Sequence, residues 1–273
     1  VIRFSMGVAG VALATSISQY LSAALIAICL MRSESCYRLH WDELALHKDK
    51  ALPIIRIGLP AGLQSSIFAI SNVVIQSSIN SFGSIAMAGS AAAANIEGFV
   101  YVSMNSVAQA SLSFASQNIG ARRYERISKI SRTCLLLAAL FGLVLGNGVY
   151  LLHDTFLRFY SPDPAVIEAG ALRLSVICTT YFLCGLMDTL ACILRAMGKS
   201  LLPMVVTIIG ACGLRVLWIY TVFPLDRTFF TLFLSYPITW GVTAAVHAVC
   251  YFFTKRTMLR RAQASAPSEA SST

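Results

Sequence analysis

Residues 91–109 read AAAANIEGFVYVSMNSVAQ and lie in a long stretch that is almost free of charge. The 65 residues between Arg56 and Arg122 contain one charged side chain, Glu97. A membrane-spanning helix needs ~20 apolar residues, so this stretch is long enough for more than one span. Lipid offers no partner to backbone amides, which leaves helices or a closed barrel. Near-continuous apolarity favours helices, because barrel strands alternate in polarity.

The composition of the whole chain supports the same conclusion. Of its 273 residues, 57% are hydrophobic and 12% are charged, whereas soluble domains carry roughly 25% charged residues. We therefore predict an all-α polytopic membrane protein with about seven transmembrane helices. The candidate spans cover approximately residues 7–31, 54–82, 85–119, 134–157, 171–196, 201–223 and 229–253.

The lysines and arginines predict the orientation of the chain. Sixteen of the 21 basic residues follow the first, third, fifth and seventh spans; the other five are Arg3, Arg158, Arg173 and Arg227 on the opposite side, and Arg215 in the sixth span. The positive-inside rule then places the C-terminus in the cytosol of a multi-pass protein of the cell membrane. Because the clusters are dispersed, no nucleic-acid partner is expected. Eight cysteines without a CxxC pair predict neither a disulfide framework nor a metal site.

Two acidic residues stand apart from the other ten. Glu97 lies in the third span and Asp188 in the fifth, whereas the other acids fall in predicted loops or the tail. A carboxylate inside the membrane costs ~2.5–3.5 kcal/mol on insertion scales, so it is a functional hypothesis by default. Asp188 lies about 10 Å inside Arg195 along the helix, and Glu97 lies nearer the outer side. The two acids are therefore not expected to form a direct pair.

Polar residues follow one face of three spans at ~100° per residue. They are Ser65, Asn72, Gln76 and Asn80; Ser90, Glu97, Tyr101, Asn105 and Gln109; and Tyr181, Cys184, Asp188, Cys192 and Arg195. Such faces are typical of a water-filled cavity, with interhelical hydrogen bonding as the alternative. Arg215 is expected to reach the outer interface by snorkelling. The GxxxG spacings at Gly58/Gly62 and Gly142/Gly146 predict close helix packing.

Three segments together resemble the multidrug and toxic compound extrusion (MATE) family of transporters. They are IGLPAGLQSSIFAISNVVIQSSINSFG at 57–83, NIEGFVYVSMNSVAQASLSFASQNIGARRYERI at 95–127 and YFLCGLMDTLACILRAMGKSLLPM at 181–204. The resemblance covers residues 54–255 and implies the C-terminal six-helix lobe of a twelve-helix fold. Residues 1–31 then correspond to the last helix of an N-terminal lobe that is otherwise missing, 32–53 to a cytosolic linker with a short interfacial helix, and 256–273 to a disordered cytosolic tail.

The resemblance implies an efflux transporter that exchanges organic cations for protons or sodium ions. The expected transport involves no enzyme chemistry and no cofactor besides the coupling ion. The expected ion-coupling or substrate-binding residues are Glu97, Asp188, Asn72, Gln76, Tyr101, Asn105 and Tyr181. A cation favours the ionised acid and a proton neutralises it, so the two compete while the bundles rock. The sequence departs from some branches of the family because its second span holds no acidic residue.

Three other functions are compatible with parts of the pattern. A lipid-linked oligosaccharide flippase has a similar fold, but its anionic substrate calls for several basic residues in the cavity, and the sequence indicates only Arg215. An intramembrane aspartyl protease requires a GxGD motif, which neither acidic segment contains. A membrane scaffold without transport is opposed only by the polar faces.

Overall fold

The computed structural model describes residues 7–33, 38–39, 45 and 47–264. Within them the chain forms seven helical segments that are long and apolar enough to span a membrane, as predicted. The elements are α1 Gly7–Arg32, α2 Lys48–Asn80, α3 Ser84–Gly120, α4 Arg126–Leu151, α5 His153–Arg158, α6 Pro164–Ala196, α7 Leu201–Thr207, a π-helical turn Ile208–Gly213, α8 Leu214–Thr221 and α9 Phe229–Ala264.

The chain divides into two compact units, Val1–Leu52 and Pro53–Thr273. The first contains α1, whose 26 residues carry no acidic side chain in the first turn and end on Arg32. The interfacial helix predicted around Trp41 lies outside the described residues, apart from a few isolated positions. At the other end α9 continues to Ala264, so the first part of the predicted tail is helical. Residues 265–273 lie outside the described chain.

Helix α6 is the central helix of the second unit. Two thirds of its apolar window, 67%, is buried, against 22% for the window in α4. Helices α3, α4 and α9 all pack against it. The buried side chains of α6 are mostly apolar, among them Leu174, Ile177, Met187, Ile193 and Leu194.

The start of α6 explains where its polar residues lie. Asp163 caps the helix by accepting a hydrogen bond from the Ala165 amide, and Pro164 occupies the first turn, where a missing N–H costs nothing. The helix thus begins seven residues before the span predicted from hydropathy. Arg173 consequently lies nine residues, or about 14 Å, inside the helix rather than in an outer loop.

Small residues allow α4 and α6 to approach closely, as the GxxxG spacing predicts. A Cβ added to Gly142 would meet the Phe182 Cα at 2.5 Å, and one added to Gly146 would collide with the Cys178 carbonyl oxygen. For Gly58 and Gly62 the prediction is wrong within the described chain. No atom lies within 4 Å of a Cβ built at either position.

The sixth span is interrupted by its π-helical turn. This turn holds Gly210, where an added Cβ would collide with the Thr243 side chain of α9. A π turn inserts one extra residue, so the residues after it are rotated relative to a regular α-helix. The turn ends two residues before Arg215, and hydropathy along the chain does not reveal this change of register.

Candidate functional site

A cavity of about 240 Å³ opens between α2, α3, α6 and α9. Five of the seven predicted site residues line it: Asn72, Gln76, Glu97, Tyr101 and Tyr181. The other lining residues are mostly apolar or aromatic, and they include Phe68, Ile75, Ile79, Tyr236 and Trp240, with Arg173 as a second charged group. Asp188 and Asn105 lie outside the lining. The polar faces therefore do meet at a cavity, and its walls are largely apolar.

Glu97 and Arg173 form a buried ion pair across α3 and α6. The Arg173 Nε donates to Glu97 Oε1 at 2.8 Å and one terminal nitrogen donates to Oε2 at 2.9 Å. The other terminal nitrogen donates to Ser90 Oγ at 2.6 Å. Both residues are less than a tenth exposed. This two-point geometry is the strongest form of a carboxylate–guanidinium contact, so Glu97 already has a full counter-charge.

Two sequence predictions about arginines are corrected here. Arg173 does not lie in a loop, because α6 starts earlier than hydropathy indicated. Arg215 does not snorkel to the interface, since its exposure is 0%. Its guanidinium lies 4.2 Å from the ring centroid of Tyr236 and 5.4 Å from that of Phe68. It donates to Asn72 Oδ1 at 3.3 Å.

Arg215 is thus held behind the cavity wall by aromatic rings and a side-chain amide, not by an acid. Within the described residues its guanidinium forms no ion pair. Its second hydrogen bond runs to the Thr239 hydroxyl at 3.4 Å, and its Nε has no partner among the described residues. Cation–π contacts of this kind offset part of the desolvation of the charge.

Aromatic side chains of α9 contribute to the cavity wall, which includes Tyr236 and Trp240. Trp240 lies 5.3 Å from the Tyr181 ring and 5.4 Å from the Tyr236 ring, and Tyr236 lies 6.4 Å from Phe233. Sequence reasoning missed Tyr236 and Trp240. The spacing of Phe229, Phe233, Tyr236 and Trp240 at three to four residues was the signal that could have found them. Two of these rings already hold a guanidinium of the protein, because Arg173 lies 5.2 Å from the Phe233 centroid and Arg215 4.2 Å from that of Tyr236.

Asp188 lies one helical turn beyond Cys184, which lines the cavity. It is half-buried, and no cationic nitrogen of the described residues forms an ion pair with it. Asp188 interacts electrostatically, without direct contact, with Arg195, which lies seven residues further along the same helix. It also interacts electrostatically with Tyr101 of α3. Arg195 donates instead to Gln64 Oε1 at 2.7 Å. Asp188 is therefore the unpaired carboxylate near the cavity.

The remaining predicted residues form short polar links. Asn105 donates to the Tyr101 hydroxyl at 3.4 Å, one turn away on α3. Gln76 donates to Asn80 Oδ1 at 3.1 Å on α2. Both contacts are local to one helix, so these amides remain able to turn toward a ligand.

Comparison with known proteins identifies the lineage of the chain. The MatE family model matches residues 60–221. The chain is 24% identical over 205 residues to a probable multidrug resistance protein NorM of Thermotoga maritima, covering 75% of this chain and 44% of that protein. It is 21% identical over 217 residues to the multidrug export protein MepA of Staphylococcus aureus, covering 79% and 48%. The chain thus spans about half the length of these relatives.

The fold has a counterpart among solved structures. A multidrug resistance MATE family transporter of the MOP superfamily, in an outward-facing conformation, superimposes with a TM-score of 0.84 at 18% sequence identity. The match covers 94% of this chain and 58% of that one. At this level of identity the likeness establishes the helical arrangement.

Proposed function

This chain belongs to the MatE family, and we propose that it forms one lobe of a secondary active transporter that exports organic cations. The exchange ion is a proton or a sodium ion. The chain corresponds to about half of its relatives, so a second lobe is the proposed partner and completes the pathway. The protein is a transporter and not an enzyme, as its family implies.

One observation carries the proposal: an unpaired carboxylate, Asp188, next to an aromatic cavity inside a membrane bundle. A cation that enters the cavity finds the ring faces of Tyr181 and Trp240 and, one turn further, a negative charge without a partner. An ionised acid attracts the cation, and a proton or sodium ion at the same carboxylate releases it. Competition for one site, combined with rocking of the lobes, gives exchange.

Glu97 takes a different role in this proposal. Its carboxylate is occupied by Arg173, so a cation reaches it only when that pair opens. The pair instead fixes α3 against α6 and keeps the cavity wall in place. Asn72, Gln76 and Asn105 supply the amide dipoles that orient a bound molecule.

The flippase alternative is not favoured. The structure adds Arg173 to the basic residues near the cavity, but Glu97 neutralises it. Arg215 remains behind the wall and is 0% exposed. A pyrophosphate-bearing substrate would need several open cations in the cavity, and the described cavity lining offers none without a counter-charge.

The basic clusters support one orientation of the chain. Arg173 is buried within α6 and not in a loop, so it no longer counts against the sixteen basic residues of the other side. We propose a multi-pass protein of the cell membrane whose C-terminus faces the cytosol.

Transport in proteoliposomes that hold the complete protein tests the proposal. Efflux of a fluorescent organic cation is driven by an imposed pH gradient and, separately, by a sodium gradient. We expect Asp188→Asn to abolish the response to whichever gradient drives transport, because the exchangeable charge is gone. Glu168→Gln, an exposed acid near the start of the same helix, is the matched control and should transport normally. Gradient-driven export that survives Asp188→Asn would contradict the proposal.

A further inference from the structure

A second cavity lies between α4, α6 and α9, at the end of the bundle that carries the basic clusters. It measures about 490 Å³ and shares no lining residue with the cavity around Glu97. Its floor is a separate group of packed apolar side chains that includes Leu190 and Tyr251, with Leu135 beside them. A pocket of this volume, largely apolar inside, is in the ~300–1,000 Å³ range of small-molecule sites.

Two cations from different helices stand at the mouth of this cavity. Arg132 projects from α4 and Lys255 from α9, and both belong to its lining. The Lys255 Nζ lies 5.8 Å from the ring centroid of Tyr251, which also lines the cavity. Neither cation forms an ion pair with an acid in the part of the chain that the structure describes.

The surroundings add positive charge to the same end. Arg126 and Lys129 precede Arg132 on α4, whereas Arg256 and Arg260 follow Lys255 on α9. The one acidic residue nearby in the sequence is Glu125, at the start of α4. The mouth of the cavity therefore attracts anions, and its interior is lined mainly by apolar side chains.

An occupant has to satisfy both features. A small water-soluble anion would use the cations and leave the apolar floor bare, whereas an uncharged apolar molecule would leave Arg132 and Lys255 without a partner. A phospholipid with an anionic headgroup meets both, since its phosphate reaches the mouth while an acyl chain enters the cavity. Basic pockets between transmembrane helices at the cytosolic side bind such headgroups.

We propose that this cavity is a binding site for an anionic phospholipid, with Arg132 and Lys255 on the headgroup and Leu135, Leu190 and Ala248 against an acyl chain. Ser128 also belongs to the lining, so its hydroxyl is a further hydrogen-bond donor available to the phosphate. The bound lipid ties α4 to α9 across the surface of α6. The site is independent of the export function proposed above.

Native mass spectrometry of the full chain, titrated with phosphatidylglycerol or phosphatidylcholine, tests the site. We expect tighter binding of phosphatidylglycerol. Each of Arg132→Gln and Lys255→Gln should weaken it about five-fold, the effect of one interfacial charge. Arg256→Gln removes an exposed neighbouring charge that does not line the cavity, and it should change affinity less than two-fold. Arg132→Lys keeps the charge and should keep the preference.

A further variant separates a seated lipid from attraction of the headgroup alone. Ala248 is half-buried and lines the cavity, so Ala248→Phe fills the space for the acyl chain and should abolish phosphatidylglycerol binding. Inorganic phosphate added in excess should not displace the lipid. The proposal is overturned if the double variant Arg132→Gln/Lys255→Gln binds like Arg256→Gln, if Ala248→Phe binds normally, or if phosphate displaces the lipid.

Discussion

The Glu97–Arg173 pair makes a quantitative prediction about stability. Removing one partner of a buried pair leaves an uncompensated charge and costs about 3–5 kcal/mol. We expect Glu97→Met and Arg173→Met each to lower the thermal midpoint Tm of the purified protein in detergent. At about 2–4 °C per kcal/mol for a domain of this size, the fall should be at least about 6 °C.

The double variant Glu97→Met/Arg173→Met distinguishes the effect of the ion pair from the effect of side-chain packing. When both charges are replaced by methionine, no charge is left buried, and such replacements are often neutral or stabilising. The double variant should therefore recover most of the lost Tm. Arg158→Met is the matched control, because its ion pair with Asp154 has side chains 67% and 54% exposed and should contribute less than about 1 kcal/mol.

A double variant whose Tm falls by the sum of the two single losses would refute this reasoning. The carboxylate and the guanidinium would then act independently, and Glu97 would be open to cations in the resting protein. The role that the pair plays in holding α3 against α6 would have to be abandoned.

Three further predictions follow from the same packing. Arg215→Met should cost less than half as much stability as Arg173→Met, because it leaves no carboxylate behind; equal losses of Tm would reveal an acidic partner. Gly146→Val should lower Tm by the equivalent of about 1–3 kcal/mol or prevent folding through overpacking, whereas Gly148→Ala, with nothing within 4 Å of its added Cβ, should stay within about 0.5 kcal/mol. Trp240→Leu should weaken binding of a fluorescent organic cation about ten-fold, with no comparable effect on an uncharged dye. Equal losses of affinity for both dyes would show that no cation–π contact contributes to binding.

The spans were predictable from sequence because they depend on a local quantity. Each is a run of apolar residues long enough to cross the membrane, and hydropathy along the chain measures that directly. The faces of α2 and α3 were also predictable, since helical periodicity brings Asn72 and Gln76, or Glu97 and Tyr101, to one side. These four predicted residues consequently line one cavity, together with Tyr181 of α6.

The partners of the charged residues could not be predicted in the same way. Glu97 and Arg173 are 76 residues apart, and counting charges near predicted loops assigns an arginine at a span end to the interface. The capping signal of Asp163 and Pro164 would have moved the helix start and drawn Arg173 inside. Arg215 is buried just after a π-helical turn, and the sequence of that turn, IIGACG, has no hydropathy feature that predicts it.

A binding competition on the complete purified protein tests directly whether Asp188 is the exchange site. The affinity for a fluorescent organic cation is measured while proton or sodium concentration is raised. We expect one of these ions to displace the cation from the unchanged protein and from Glu97→Gln, and we expect Asp188→Asn to abolish the competition. Competition that persists in Asp188→Asn but disappears in Glu97→Gln would contradict the assignment of the exchange site to Asp188 and would assign it to the carboxylate paired with Arg173.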